Sequence, residues 1–103
     1  MHQALETRLL AEDSAVEARL QLRVRRFILA TNALGCESDL ARAKLLKLDP
    51  KTIGEARRGG VVGERFISNT VVIMRRNADA LAEIGMQPTI DEFFEVVEGQ
   101  ADA

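Results

Sequence analysis

Residues 38–60, SDLARAKLLKLDPKTIGEARRGG, constrain the fold more than any other part of the chain. They hold two short helical segments whose ends are marked by residues with a physical reason to be there. Ser38 and Asp49 are side chains that accept from the free amides at a helix start. Pro50 follows Asp49 at a first helical position, where a missing N–H costs nothing. Gly59 and Gly60 stop the second segment, because glycine takes the left-handed conformation that ends helices. Two short helices joined by a polar turn are the layout of a helix-turn-helix, in which the second helix enters the major groove of duplex DNA.

Charge follows the same division. From Cys36 to Arg76 there are nine Lys/Arg against five Asp/Glu, whereas from Asn77 to Ala103 there are seven acids and no base. The net charge of −2 thus hides a basic middle and an acidic end. A basic middle suits a polyanionic partner, and an acidic end is repelled by it.

The 103 residues are enough for one domain with one modest core. Two prolines and an abundance of Ala, Leu, Arg and Glu predict an all-α chain. Residues 1–13 read as an N-terminal arm or short helix carrying Leu5, Leu9 and Leu10, residues 14–98 as the helical domain, and residues 99–103 as a tail. Ser14 to Glu17 matches a capping box opening a long helix through Val16, Leu20, Val24, Phe27, Ile28, Thr31 and Leu34, stopped by Gly35. In the next segment Leu40, Ala41 and Leu45 are expected to face inward. A longer helix runs from Glu64 to Gly85, with Asn77 a candidate break. Thr89 to Glu92 is a second capping-box match, opening a closing helix with Phe93, Phe94, Val96 and Val97. No strand pair is expected.

At about 100° per residue, Ile53 and Ala56 define the buried side of the segment 49–58. Lys51, Glu55 and Arg58 fall opposite, with Thr52 on the flank and Gly54 at the edge. Arg57 lies near the buried side, either packing its stem there or pairing with an acid on a neighbouring helix. The outward set is chemically suited to base edges. Lysine and arginine donate to guanine, threonine serves several bases, and glutamate accepts from the cytosine amino group. Lys51, Thr52, Glu55 and Arg58 are therefore the candidate base readers. Ser38, Lys44, Lys47, Gly59, Gly60 and Arg65 surround them as candidate phosphate contacts, the glycines through their amides. Arg23, Arg25 and Arg26 form a second basic cluster, read equally well as a backbone contact or a solvated face.

On Leu40-Ala41 and Pro50-Lys51-Thr52-Ile53, with Gly59 six residues after the isoleucine, the chain resembles the Cro/CI-type (XRE) helix-turn-helix repressors. Phe66-Ile67 and Phe93-Phe94-Glu95-Val96-Val97 look like the small actinobacterial and actinophage regulators of that type. The resemblance spans residues 24–98 and is specific over 38–59. It implies a five- to six-helix, lambda-repressor-like domain acting on an operator with two half-sites read by a dimer. The sequence departs from the family in the turn, usually Gly–apolar–Ser, where Lys44 to Asp49 is longer and lacks glycine. Asp39 also replaces a common phosphate-contacting glutamine.

Other chemistry finds little support. His2 is the only histidine, which excludes a histidine-based metal site. Cys36 is the only cysteine, so no internal disulfide forms and a reducing cytosol is suited. Four Phe with no Trp or Tyr make a poor stacking platform for single strands. No apolar run is long enough for a membrane helix, and the N-terminus does not read as a signal peptide. Asp91, Glu92, Glu95 and Glu98 read as a solvated acidic face. The expectation is a non-enzymatic, cofactor-free transcriptional repressor of a phage or prophage, cytoplasmic and nucleoid-associated, which occupies double-stranded DNA. Its expected homodimer uses Ile90, Phe93, Phe94 and Val97 or the N-terminal helix. The rivals are an antitoxin that autoregulates its operon, and a helical protein-interaction adaptor without DNA binding.

Overall fold

The computed structural model describes residues 16–100. Their order is β1 (Val16–Leu22), α1 (Val24–Ala33), α2 (Asp39–Leu46), α3 (Pro50–Arg57), α4 (Glu64–Arg76), α5 (Ala78–Glu83), α6 (Ile90–Phe93) and β2 (Phe94–Gln100). The domain is mostly helical but not all-α. β1 and β2 pair antiparallel along their whole length, from Val16 opposite Gln100 to Leu22 opposite Phe94.

This sheet overturns the expected long first helix and the expected closing helix. β1 reads VEARLQL, with apolar residues at 16, 18, 20 and 22 and polar ones between, a period of two. Val16 and Leu20 are four apart, so they satisfy a helical spacing as well. The alternation decides between the two periods once a partner strand exists. Ser14 lies outside the described residues, but Val16 and Glu17 are in the strand, so that capping box opens no helix. The second box fares differently. Thr89 precedes α6 without a side-chain cap, while the Glu92 carboxylate accepts from the Gln87 amide at 2.9 Å. α6 then stops at Phe93, and the β-branched Val96 and Val97 continue as strand, together with Gly99 and Gln100 of the expected tail. The rest of the tail and the 1–13 arm lie outside the described residues.

The sheet caps a core of Phe27, Ala43, Leu46, Ile53, Phe66, Met74, Leu81, Phe93 and Phe94. Phe66 sits at its centre, 5.9 Å from the Phe27 ring and 6.0 Å from Phe94, the latter pair edge-on at 85°. Phe93 and Phe94 are fully enclosed, so the expected dimer stripe is not an available surface. The ribbon turns both rings inward and leaves only Ile90 of that stripe well exposed. The expected break at Asn77 is present. α4 ends there and α5 begins, with the Asn77 amide donating to the Ile73 carbonyl at 2.8 Å.

Three helix ends share one device. After α1, α3 and α5, a glycine with positive φ (Gly35 +83°, Gly59 +90°, Gly85 +72°) lets two successive amides return to the last turn. This is the Schellman arrangement. At α3 the Gly59 amide reaches Ala56 and the Gly60 amide reaches Glu55, at 3.1 and 2.9 Å. Gly60 is needed for a different reason than Gly59: a Cβ there would lie 2.9 Å from the Glu55 carbonyl oxygen, which is backbone and cannot yield. At Gly54 a Cβ would meet only the Arg58 guanidinium at 3.1 Å, a flexible side chain. Thermal melts should therefore separate the two. Gly60→Ala is expected to lose about 1–3 kcal/mol, and Gly54→Ala to gain up to about 1 kcal/mol from helix propensity.

Candidate nucleic-acid interface

α2 and α3 are joined by Lys47, Leu48 and Asp49. The turn lacks glycine, so Lys47 itself takes the left-handed conformation, φ 56° and ψ 47°. That lets the Leu48 amide return to the Ala43 carbonyl at 2.9 Å. The Asn69 side chain on α4 donates to the Leu46 carbonyl at 2.9 Å, holding the end of α2 from outside. At the other end of α2, the Ser38 hydroxyl accepts from the Ala41 amide at 3.1 Å, as its capping role requires.

α2 is turned relative to expectation. Leu40 is 57 % exposed and Ala41 and Leu45 are half-buried, while Arg42, Ala43 and Leu46 face the core. A charged residue holds an inward position because its donors are met. Arg42 gives Nε to the Thr31 hydroxyl (2.8 Å), one terminal nitrogen to Asn32 Oδ1 (2.9 Å) and the other to Asp39 (3.4 Å). Asp39 in turn accepts two hydrogen bonds from Arg57, at 2.8 and 2.6 Å. Arg57 therefore pairs with an acid on the neighbouring helix, one of the two roles open to it. The Asp39 carboxyl is held below its ordinary pKa, first by the Arg57 hydrogen bonds, against the opposing effect of burial. Arg57 is held above its own ordinary value by the same pair. A residue that stands where the family's phosphate contact is expected is thus bound to an arginine of α3. No sequence signal links Asp39 to Arg57, since helical neighbours lie three or four residues apart.

On α3, Ile53 and Ala56 are buried, and Lys51, Thr52, Glu55 and Arg58 are exposed. Lys51, Glu55 and Arg58 share the outer side of the helix at i, i+4 and i+7 spacing. Arg58 lies back across Gly54, so Gly54 is covered rather than bare. Asp49 stands at the helix start without a side-chain cap, and Pro50 has no N–H to satisfy. Lys47, Thr52 and Arg65 meet in an open cleft of about 440 Å³, together with Asp49 and the start of α4 at Gly63. Ser38 and Lys44 are exposed on α2, outside this cleft. The Gly59 and Gly60 amides are not free for phosphate, because both close the end of α3; this corrects their expected role. The Gly59 carbonyl also accepts from the Gln21 side chain at 3.1 Å.

The second basic cluster and the acidic face meet each other. Arg23 pairs with Glu95 at 3.3 Å, and Arg26 with Glu92 at 3.0 Å. The pairs hold the start of α1 against α6 and β2, and among the described residues only Arg25 of the three arginines is outside such a pair. Two of the four acids read as a solvated face are therefore spent within the fold. Cys36 is half-buried near the Leu34 carbonyl, and His2 lies outside the described residues. Among the described residues, no helix is long and apolar enough to cross a membrane.

No protein-family model, curated protein or solved structure matches the chain.

The lowered Asp39 pKa gives a signed expectation. The unfolded chain takes up this proton near pH 3.8 and the folded chain only at lower pH. The pair's contribution is therefore complete above that value and is lost as pH falls through the depressed one. Melting temperature should fall on acidification below about pH 4, and Asp39→Asn should flatten that fall while lowering stability at neutral pH.

Proposed function

We propose that the protein is a sequence-specific double-stranded DNA-binding repressor of the helix-turn-helix class, acting by operator occupancy without catalysis. A phage or prophage immunity repressor or Cro-like regulator, working in the cytoplasm on the nucleoid, is the form this takes. The observation that carries the reading is the division of α3. Its apolar residues are buried, and Lys51, Thr52, Glu55 and Arg58 form a polar outer side on a helix braced to α2 through Asp39 and Arg57. A helix that reads base edges needs both properties, an adaptable hydrogen-bonding surface and a fixed approach.

The surroundings favour an anionic partner. Lys47, Arg65 and Thr52 gather at the start of α3, where partial positive charge from free amides also favours phosphate. Lys44 and Ser38 extend the same surface along α2. Arg58 would leave its resting place on Gly54 to reach a base. The acids Asp91 and Glu98 are exposed on α6 and β2, away from α3 in the chain.

The test begins with selection from a random duplex pool, or footprinting on DNA flanking the gene. Against the selected site, Lys51→Ala and Arg58→Ala should each weaken binding by about 1–3 kcal/mol and relax specificity at one position. Lys47→Ala should weaken all duplexes alike and reduce the log–log salt slope by about 1. Helicity and melting temperature should barely change in all three. If no duplex is enriched, or if binding ignores Lys51 and Arg58, the adaptor reading takes its place.

A further inference from the structure

α4 serves the core with one side only. Phe66, Thr70 and Met74, four residues apart, are buried. Asn69, Val72, Ile73 and Arg76, at i, i+3, i+4 and i+7, form a second stripe along the same helix. With Leu46 and Lys47 at the end of α2 they line an open groove of about 210 Å³. Its floor is apolar. Val72 is 43 % exposed, Ile73 is half-buried, and the Asn69 side-chain amide is already given to the Leu46 carbonyl.

Two cations border this floor and no acid does. Lys47 and Arg76 are both exposed. Among the described residues the ion pairs use Arg23, Arg26, Arg42 and Arg57, so neither cation of the groove is answered within the fold. Asp79, the acid nearest Arg76 in the chain, shares a separate cleft with Arg75 and Arg76 at the start of α5 but pairs with neither. Lys47 and Arg76 each stand at a helix C-terminus. The roughly half unit of negative charge there offsets them only in part.

We infer that the groove seats an amphipathic helix of a partner protein, with apolar side chains on Val72 and Ile73 and acids against Lys47 and Arg76. The groove is smaller than the roughly 300–1,000 Å³ of small-molecule sites, and its floor has no convergent polar groups to orient a small molecule. A phosphate backbone would answer the two cations but leave the valine and isoleucine uncovered. A second helix meets both needs. The stripe on α4 runs for two turns, about 10 Å, and apolar anchors at the same spacing on a partner helix can lie along it. The cations reject a basic partner, and opposite charges at the rim fix the register of an acidic one. A contact of one helix stripe belongs to the transient class, under roughly 1,200 Å², so the complex is reversible. Only Lys47 is common to this groove and the cleft at the start of α3, and the inference does not rest on DNA binding.

The probes are two synthetic helical peptides with the same leucine stripe, one flanked by glutamates and the other by lysines. Titrated into the isotope-labelled full chain, the glutamate peptide should bind in the micromolar range. It should shift the amide resonances of Lys47 and of Asn69 to Arg76. The lysine peptide should bind about tenfold more weakly or worse. Lys47→Glu combined with Arg76→Glu should reverse that preference, and Val72→Asp should weaken the glutamate peptide about tenfold. All three side chains are exposed, and circular dichroism keeps loss of binding apart from loss of folding. No binding of the glutamate peptide at millimolar concentration, equal binding of the two peptides, a preference that survives the charge reversal, or shifts confined to other surfaces would each overturn the inference. A random duplex that shifts Val72 and Ile73, or concentration-dependent shifts of the groove in the chain alone, would assign it to DNA or to a second copy and overturn it as well.

Discussion

The buried guanidinium of Arg42 is the constraint on which the arrangement of α1, α2 and α3 depends. A charge taken out of water is costly unless its donors are met, and here three separate partners meet them. Thr31 and Asn32 belong to α1 and Asp39 to α2, so one side chain fixes the rotation of α2 against α1. Asp39 then passes the constraint to α3 through Arg57. Apolar contacts alone tolerate sliding and repacking, whereas planar, paired hydrogen bonds between guanidinium and carboxylate admit few geometries. The orientation of α3 is therefore set by polar contacts on one side and by Ile53 and Ala56 on the other.

The opposite side of the molecule is held by a different device. Arg23 donates to the Asp91 and Phe94 carbonyls at 3.0 and 3.3 Å, and its own amide reaches the Phe93 carbonyl at 2.7 Å. These bonds join the two chain segments that enter the ribbon, where Leu22 and Phe94 join the core and Phe94 meets Phe66. The acidic end of the chain is thus an integral part of the fold. Glu92 and Glu95 answer Arg26 and Arg23, while Arg25, Arg75, Arg76 and the cations around α3 stay exposed.

Several readings from sequence survive because they rest on local chemistry. The Ser38 cap, Pro50 at the first position of α3, the breaks at Asn77 and Gly85, and the sidedness of α3 all depend on residues within one or two turns. Other readings fail where two periods coincide. Val16 and Leu20, and likewise Ile90, Phe93, Phe94 and Val97, fit a helical repeat, and the first pair fits an alternating one equally well. The inward turn of Arg42 in place of Leu40 has no local signal, since it is decided by Thr31 and Asn32 on another helix. The amides of Gly59 and Gly60 were open to phosphate on paper and are closed by the helix they terminate.

By itself, then, the sequence determined where α2 to α5 start and stop and which side of α3 is wet, because caps, glycines and a local apolar pair act within a few residues. Only the tertiary structure decided that the ends of the domain form a ribbon, that two phenylalanines serve the core, and that Asp39 belongs to Arg57. Each of those outcomes joins residues far apart in the chain. Their free energy comes from a partner that no local pattern specifies.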